Sequence, residues 1–465
     1  VFVAAVVMRF PGVIDVLVRG RHYPEEVKEA AHSCLALLTF VSLLWALEAI
    51  PLYVTALAIP PLTVIMRVFL SEDLTSLNPA EASTFAFAKM GAPVVMLIIG
   101  GYSISAAMSK FALDKFVATA ILSRVRNPVL FPFVLMNLAL FLSMWVSNVA
   151  TPVLLYSVIQ PIVRGMPATA LPYVKSLILA ISIGSNIGGM ATPIASPQNA
   201  VALSQLRDLQ EIGFLEWMAA ALPQCFLMIV LAQCLLMVMF RPQRYAAPFI
   251  PKHQGSFKLE HLIIIVSIFI TVFLWCFKPA LAVFGSEGVV ACIPIFLFYG
   301  LGILNKEDFN NLPWNVIFLV AGGTVLGAAV ESSQLLSMVA KTIHDSLQHA
   351  SLWHVYCVFS LFTFLVSSLV SHTVASLIVL PIVAEVGASL GHPRLIVMGC
   401  TLACSGAMAL PVSSFPNMAA IGLDNEVGKS YIHAQDIIMA GAPMTLFSAT
   451  VVMTFGYALM TMIHF

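Results

Sequence analysis

Four short polar interruptions punctuate a chain that is otherwise overwhelmingly apolar: Ser147-Asn148-Val149, Ala195-Ser196-Pro197, Ser371-His372-Thr373 and Ser413-Ser414-Phe415. Hydroxyl, amide and imidazole groups in such a setting suit ion binding rather than bond breaking. An apolar run that stops at such a point and then resumes leaves two half-helices. Half-helix N-termini present free N–H groups and a positive dipole end to a small anion. Unwound carbonyls and hydroxyls supply the hard oxygens that a bare cation such as sodium prefers. Gly184, Gly188, Gly189 and Gly406 flank these points and let backbones approach closely. Asn199 and Asn417 are expected to tie their loops to neighbouring backbone rather than to touch a ligand. One such dipeptide in a membrane helix is usually a cap or an interhelical hydrogen bond. Four at matching positions point to a site.

The elements that must position these residues follow from composition. The chain has 465 residues, 60% hydrophobic and 9% charged, against about 25% charged in an average soluble domain. Its mean hydropathy is +0.97. This describes an all-α polytopic membrane protein whose solvent is largely the lipid bilayer. Twenty-two basic residues balance twenty-two acidic ones, which argues against a nucleic-acid partner. The eight cysteines form no CxxC pair and read as packing residues. HExxH is absent, and the histidines away from the tips scatter near span ends, so no enzyme constellation emerges.

A span needs about 20 apolar residues. The stretch 130–163 is too long for one crossing and is interrupted at Ser147-Asn148; 352–384 is interrupted likewise at Ser371-His372. Both read as re-entrant hairpins, whose polar backbone survives at membrane depth only inside protein or beside water. The linker 241–258 holds Arg241, Arg244, Lys252 and Lys258 without an acid, whereas the loop 71–88 holds Glu72, Asp73 and Glu81. By the positive-inside rule the linker and the outer ends of the first hairpin face the cytoplasm, and the acidic loop faces out. Lys110, Lys115, Glu48, Glu331 and Glu385 lie near span ends and are expected to snorkel or pair.

The two halves repeat one another. VVMLIIGGYSISAAMSK (94–110) resembles VIFLVAGGTVLGAAVES (316–332), with Gly100-Gly101 over Gly322-Gly323. Ser147-Asn148 lies over Ser371-His372, and Trp45 recurs as Trp275. Met190, Pro193, Ser196 and Asn199 recur 218 positions later in MALPVSSFPN. Each half contains five crossings and one hairpin, and an odd number of crossings turns the second copy upside down. The expected plan is a remnant of a first helix at 1–32, inverted repeat 1 at 33–240 (hairpin 130–163, broken helix 173–206) and inverted repeat 2 at 259–465 (hairpin 352–384, broken helix 394–423). Inverted repeats interrupted at corresponding places point to a midplane site in a secondary transporter. The opening VFVAAVVMRF looks like the tail of a hydrophobic segment, so further chain is expected upstream.

WALEAIPLYVTALAIP (45–60), SNVATP (147–152), SNIGGMATPIASPQN (185–199) and LPVSSFPN (410–417) resemble the divalent anion/sodium symporter superfamily. The likeness runs from about residue 33 onward. SNIGGMATPIASPQN and the FPN ending are similar to the fungal-type low-affinity phosphate transporters that carry an N-terminal SPX domain; none is present in this chain, and one upstream would bind inositol polyphosphates. The resemblance implies an elevator mechanism, a homodimer, and an anion held between two hairpin tips. It places a first cation site on Ser143, Ser147, Asn148 and Ala195, taken as the sodium site. A second falls on Ser367, Val370, His372 and Ser413. Anion contacts fall on Asn148, Ser196, Pro197, His372, Thr373, Ser414 and Phe415.

The usual SNT of that family reads SNV in the first tip and SHT in the second. Imidazole nitrogen suits sodium poorly, so a proton or a second sodium is expected near His372. The family's TPP becomes Ser414-Phe415-Pro416, and the phenyl ring is expected to narrow the pocket in favour of phosphate. The reading is a cation-coupled phosphate transporter in a plasma or vacuolar membrane, with Na+ and/or H+ as coupling ion. A di/tricarboxylate or sulfate symporter, an anion channel or a transport-competent phosphate sensor are the alternatives.

Overall fold

Helix ends here are set by local chemistry that the sequence carries openly. Asn78 accepts from the N–H groups of Ala80 and Glu81, at 3.0 Å each, while Glu81 reaches back to the Asn78 N–H. Proline stands in the first turn at Pro93, Pro172 and Pro393, where its missing N–H costs nothing. The computed structural model describes residues 23–47, 49–71, 73–206, 209–246, 248, 258–335, 338, 351–423 and 430–465. Residues 1–22 of the expected remnant, most of the 241–258 linker, Glu48 and Glu72 lie outside the described residues.

The helices of the first half are α1 (Glu25–Leu47), α2 (Leu52–Ile65), α3 (Pro79–Met90), α4 (Pro93–Lys110), α5 (Leu113–Leu122), α6 (Leu130–Trp145), α7 (Ala150–Arg164), α8 (Leu171–Gly188), α9 (Pro197–Leu206) and α10 (Phe214–Phe240). The main ones of the second are α11 (Leu259–Cys276), α12 (Glu287–Gly300), α13 (Trp314–Ser332), α14 (Leu352–Leu369), α15 (His372–Ser389), α16 (Pro393–Gly406), α17 (Phe415–Ile421) and α18 (Ala434–Val451), with short helices at Lys278–Phe284, Lys306–Asn310 and Tyr457–Met462 besides. Nine helices among the described residues are long and apolar enough to cross a bilayer, and the chain is an all-helical, multi-pass integral membrane protein. Helix α3 was not evident in the sequence, where its residues read as part of an acidic loop. Its short amphipathic stretch forms because Asn78, Pro79 and Glu81 together cap it.

Packing is governed by missing side chains. A Cβ on Gly100 of α4 would stand 2.6 Å from the Ala291 carbonyl of α12. One on Gly322 of α13 would stand 2.5 Å from the Ala56 carbonyl of α2. Each contact joins a helix of one half to a helix of the other. The tryptophans behave alike: Trp45 Nε1 donates to the Leu52 carbonyl at 3.1 Å, and Trp275 Nε1 to the Glu287 carbonyl at 3.0 Å. Each indole pins a helix to the start of the next apolar one.

Helix α6 lies along α8 through Gly184 and Gly188, where a Cβ would come within 2.6 Å of the Met136 and Leu140 carbonyls. In the second half α14 lies along α16, with Tyr356 against Gly399 and Phe364 against Gly406. Helices α8 and α16 are buried along nearly their whole length. Of the charges near span ends, Lys110 pairs at the surface, its Nζ lying 2.6 Å from Asp308. Both side chains are partly exposed, so Lys110→Met is expected to cost less than about 1 kcal/mol. A chemical or thermal melt of the purified protein checks this; a larger loss makes the pair structural.

Candidate functional site

The first hairpin breaks between Trp145 and Ala150. Ser147 sits at its tip with a φ of 151°, a conformation that residues with a side chain rarely adopt, and its Oγ accepts from the Ala150 N–H at 3.2 Å. The Asn148 N–H donates to the Ala195 carbonyl at 3.2 Å, which seats the tip on the loop of the first broken helix. Ser143, one turn before the break, donates to the Ser185 carbonyl of α8 at 3.0 Å. Gly189 lies directly against the Asn148 side chain: a Cβ there would be 3.0 Å from Cβ and from Nδ2. Around this junction Asn148 Oδ1, Thr151 Oγ1, Ser185 Oγ and Asn186 Oδ1 are buried and make no hydrogen bond among the described residues. Buried oxygens without donors are what a small cation coordinates.

The second tip is built differently. Val370 ends α14 in an extended conformation, and Ser371 caps α15. His372 is buried, and its Nε2 lies 2.8 Å from the Ala407 carbonyl at the end of α16. A carbonyl only accepts, so Nε2 carries the proton. Thr373 is half-buried, and its carbonyl accepts from Ser376 Oγ at 2.7 Å. Ser367 is buried beside Cys404.

The two loops complete the arrangement. Ser196 Oγ donates to the Gly189 carbonyl at 2.6 Å, and Pro197 opens α9. Ser413 donates to the Leu410 carbonyl at 2.7 Å, while Ser414 Oγ accepts from the Asn417 N–H at 3.4 Å and caps α17. Phe415 is the first residue of α17 and is 39% exposed. Asn199 and Asn417 tie their loops down as the sequence suggests: Asn199 Nδ2 donates to the Gly189 and Thr192 carbonyls, Asn417 Nδ2 to the Met408 and Leu410 carbonyls.

Sequence reasoning missed a buried polar seam between the halves. Ser182 Oγ and Asn186 Nδ2 of α8 both donate to Asn417 Oδ1, at 2.7 and 3.1 Å. Gln198 Nε2 donates to Ser405 Oγ of α16 at 2.7 Å. The signal was available in Ser182 and in the Ser185-Asn186 pair that opens SNIGGMATPIASPQN, polar residues along a largely apolar helix.

A cavity of about 600 Å3 opens elsewhere, between the C-terminal end of α9, the starts of α4, α10, α12 and α16, and the end of α13. Glu211, Glu216, Glu287, Glu331 and Glu385 line it with Lys89 and Arg394, and no tip residue does. Glu287 bridges its walls by accepting from the Phe214 N–H at 3.0 Å, and Arg394 pairs with Glu216. This acidic space is separate from the tips.

The profile described as the sodium:sulfate symporter transmembrane region matches residues 11–464. An uncharacterized transporter of Schizosaccharomyces pombe is 42% identical over 440 residues, which are 93% of this chain and 50% of that protein. The inorganic phosphate transporter PHO87 of Saccharomyces cerevisiae is 35% identical over 436 residues, 92% of this chain and 47% of that protein. The chain thus spans about half the length of these relatives. The crystal structure of the YdaH transporter of Alcanivorax borkumensis is alike in fold, with a TM-score of 0.57 at 14% identity over 94% of this chain and 99% of that one.

Proposed function

The chain belongs to the sodium:sulfate symporter family, and from that premise we propose that it is a secondary transporter of inorganic phosphate, driven by sodium and/or protons. The observation that carries this reading is the seating of two hairpin tips on the two broken helices, Asn148 on Ala195 and His372 on Ala407. An anion between the tips would meet the N–H groups at the starts of α7, α9 and α15, with Asn148, Ser196, Pro197, His372, Thr373, Ser414 and Phe415 around it. The buried oxygens of Asn148, Thr151, Ser185 and Asn186, together with Ser143, Ser147 and the Ala195 carbonyl, would hold the coupling sodium. The likeness to a yeast protein named as an inorganic phosphate transporter supports phosphate over a dicarboxylate.

The hairpins, the broken helices, α10 and α18 would travel together against a frame of α1 to α4 and α11 to α13. The reciprocal glycine contacts, α4 on α12 and α13 on α2, support two inverted repeats. The working unit would be a homodimer joined through that frame. Moving one negative charge inward against 100 mV costs about 2.3 kcal/mol, which a single co-transported cation cancels. Net concentration then comes from the cation gradient itself.

Reconstitution in liposomes tests the reading. Radiolabelled phosphate uptake should rise with an inward sodium gradient, saturate, and ignore excess succinate. Uptake of succinate instead would move the chain to the dicarboxylate branch, and flux linear in concentration would make it a channel.

A further inference from the structure

The two tips occupy equivalent places in the repeat, yet their chemistry differs at the four positions whose oxygens stand bare at the first tip. Four buried oxygens at the first tip have no hydrogen-bond partner among the described residues: Asn148 Oδ1, Thr151 Oγ1, Ser185 Oγ and Asn186 Oδ1. Superposing the hairpins as Ser147-Asn148 on Ser371-His372 puts Ala375 where Thr151 stands. Superposing the broken helices as Met190 on Met408 puts Ala403 where Ser185 stands and Cys404 where Asn186 stands. At the second tip the four oxygens have thus become an imidazole, two methyl groups and a thiol. Ser367, in the place of Ser143, is the hydroxyl that survives, and its buried Oγ is the one oxygen of this set that stands without a partner among the described residues at the second tip, against four at the first.

The second tip has gained something in exchange. The His372 imidazole donates its Nε2 proton to the Ala407 carbonyl at 2.8 Å, and Ala407 is the residue that stands over Gly189, against which Asn148 rests. The side chain that replaces Asn148 therefore donates to the broken helix, whereas at the first tip the backbone N–H of Asn148 makes the bridge and its side-chain oxygen stays bare. His372 is 4% exposed and lies in the first turn of α15, a position where the helix dipole disfavours added positive charge.

We propose that the His372 N–H is a built-in substitute for a cation: it holds the second hairpin on its broken helix in every ion condition, and the chain binds one sodium, at the first tip alone. His372 is a positioning residue here. The identity of the ion rests on the carrier reading above, whereas the closure of the second tip by His372 does not.

Hydrogen exchange on the full purified chain, with sodium replaced by choline in the control, separates the two. Sodium should slow exchange at 147–151 and leave 371–375 unchanged. His372→Ala should speed exchange at 371–375 by roughly 3- to 20-fold, the worth of one interhelical hydrogen bond in a membrane interior, with and without sodium. His372→Gln, whose amide N–H can reach the same carbonyl, should restore most of the protection. Binding of labelled sodium should saturate at one ion per chain in the wild type and in His372→Ala. Two ions in the wild type, sodium-dependent protection at 371–375, or loss of sodium binding in His372→Ala would each overturn the proposal. If sodium protects neither tip while His372→Ala still opens the second, the imidazole tether stands and the sodium reading of the first tip falls.

Discussion

Replacing Asn148 with alanine is expected to shift sodium stimulation of anion uptake to much higher sodium concentrations while leaving the protein folded. The side-chain oxygen of Asn148 is buried and has no donor within the described residues, so its removal orphans no partner. Only its backbone N–H seats the tip on Ala195, and alanine keeps that. A purely structural asparagine would behave in the opposite way, because removing one member of a buried hydrogen bond leaves the other unsatisfied at a cost of about 1–3 kcal/mol. Losing one oxygen contact to a charged ion is worth about 1.5–3 kcal/mol. At 1.4 kcal/mol per tenfold, the sodium concentration for half-maximal uptake should rise on the order of 10- to 100-fold. Uptake as a function of sodium, beside a thermal melt in detergent, decides the matter. An unchanged sodium response would remove the ion from the first tip, and a lowered melt with an unchanged response would make Asn148 a cap.

The second large effect is expected at Asn417, and it is a stability effect. The Asn417 amide accepts from Ser182 and Asn186 and donates to the Met408 and Leu410 carbonyls. Asn417→Leu keeps the branched shape and strips a bond from all four. Interhelical hydrogen bonds in membranes average about 0.6 kcal/mol and reach about 1.7, so the total is roughly 2–7 kcal/mol. Asn199→Leu makes the natural comparison. It strips two carbonyls, Gly189 and Thr192, and it removes a side-chain oxygen that already has no donor among the described residues, so roughly 1–3 kcal/mol is expected. The loss at position 417 should therefore be about twice that at 199 in a denaturant or thermal melt. Equal losses would show that the bonds between the halves add nothing to those within a loop.

The tips and the loop-tying asparagines were legible because polar residues inside apolar runs have few other reasons to exist, and because the repeat doubled the signal. Trp45 and Trp275 were visible as a repeated pair for the same reason, although their hydrogen bonds were not. Asn186 escaped notice as a site residue because its partner, Asn417, lies 231 positions away, and no local pattern encodes a contact between two broken helices. The His372 tether was hidden for a related reason. A histidine beside a serine reads as a ligand, and only the position of the Ala407 carbonyl makes it a donor. Helix α3 was lost to its charge: a capped amphipathic turn and a solvated loop share the same residues.

The glycine contacts also govern the order in which this protein can be made. Helix α4 leaves the ribosome with its Gly100 face prepared for Ala291, and α2 with Ala56 prepared for Gly322. At 5–20 residues per second, roughly 190 further residues must be synthesised before the partner of α4 exists, a wait of about 10–40 s. During that wait the grooved faces of α2 and α4 are covered by lipid, or by whatever the insertion machinery supplies. Helix α8 is harder to park, since its buried Ser182 and Asn186 await Asn417, more than 200 positions further on. The chain must therefore be threaded into the membrane well before it can be assembled there, and the first half remains an unfinished bundle until α17 arrives.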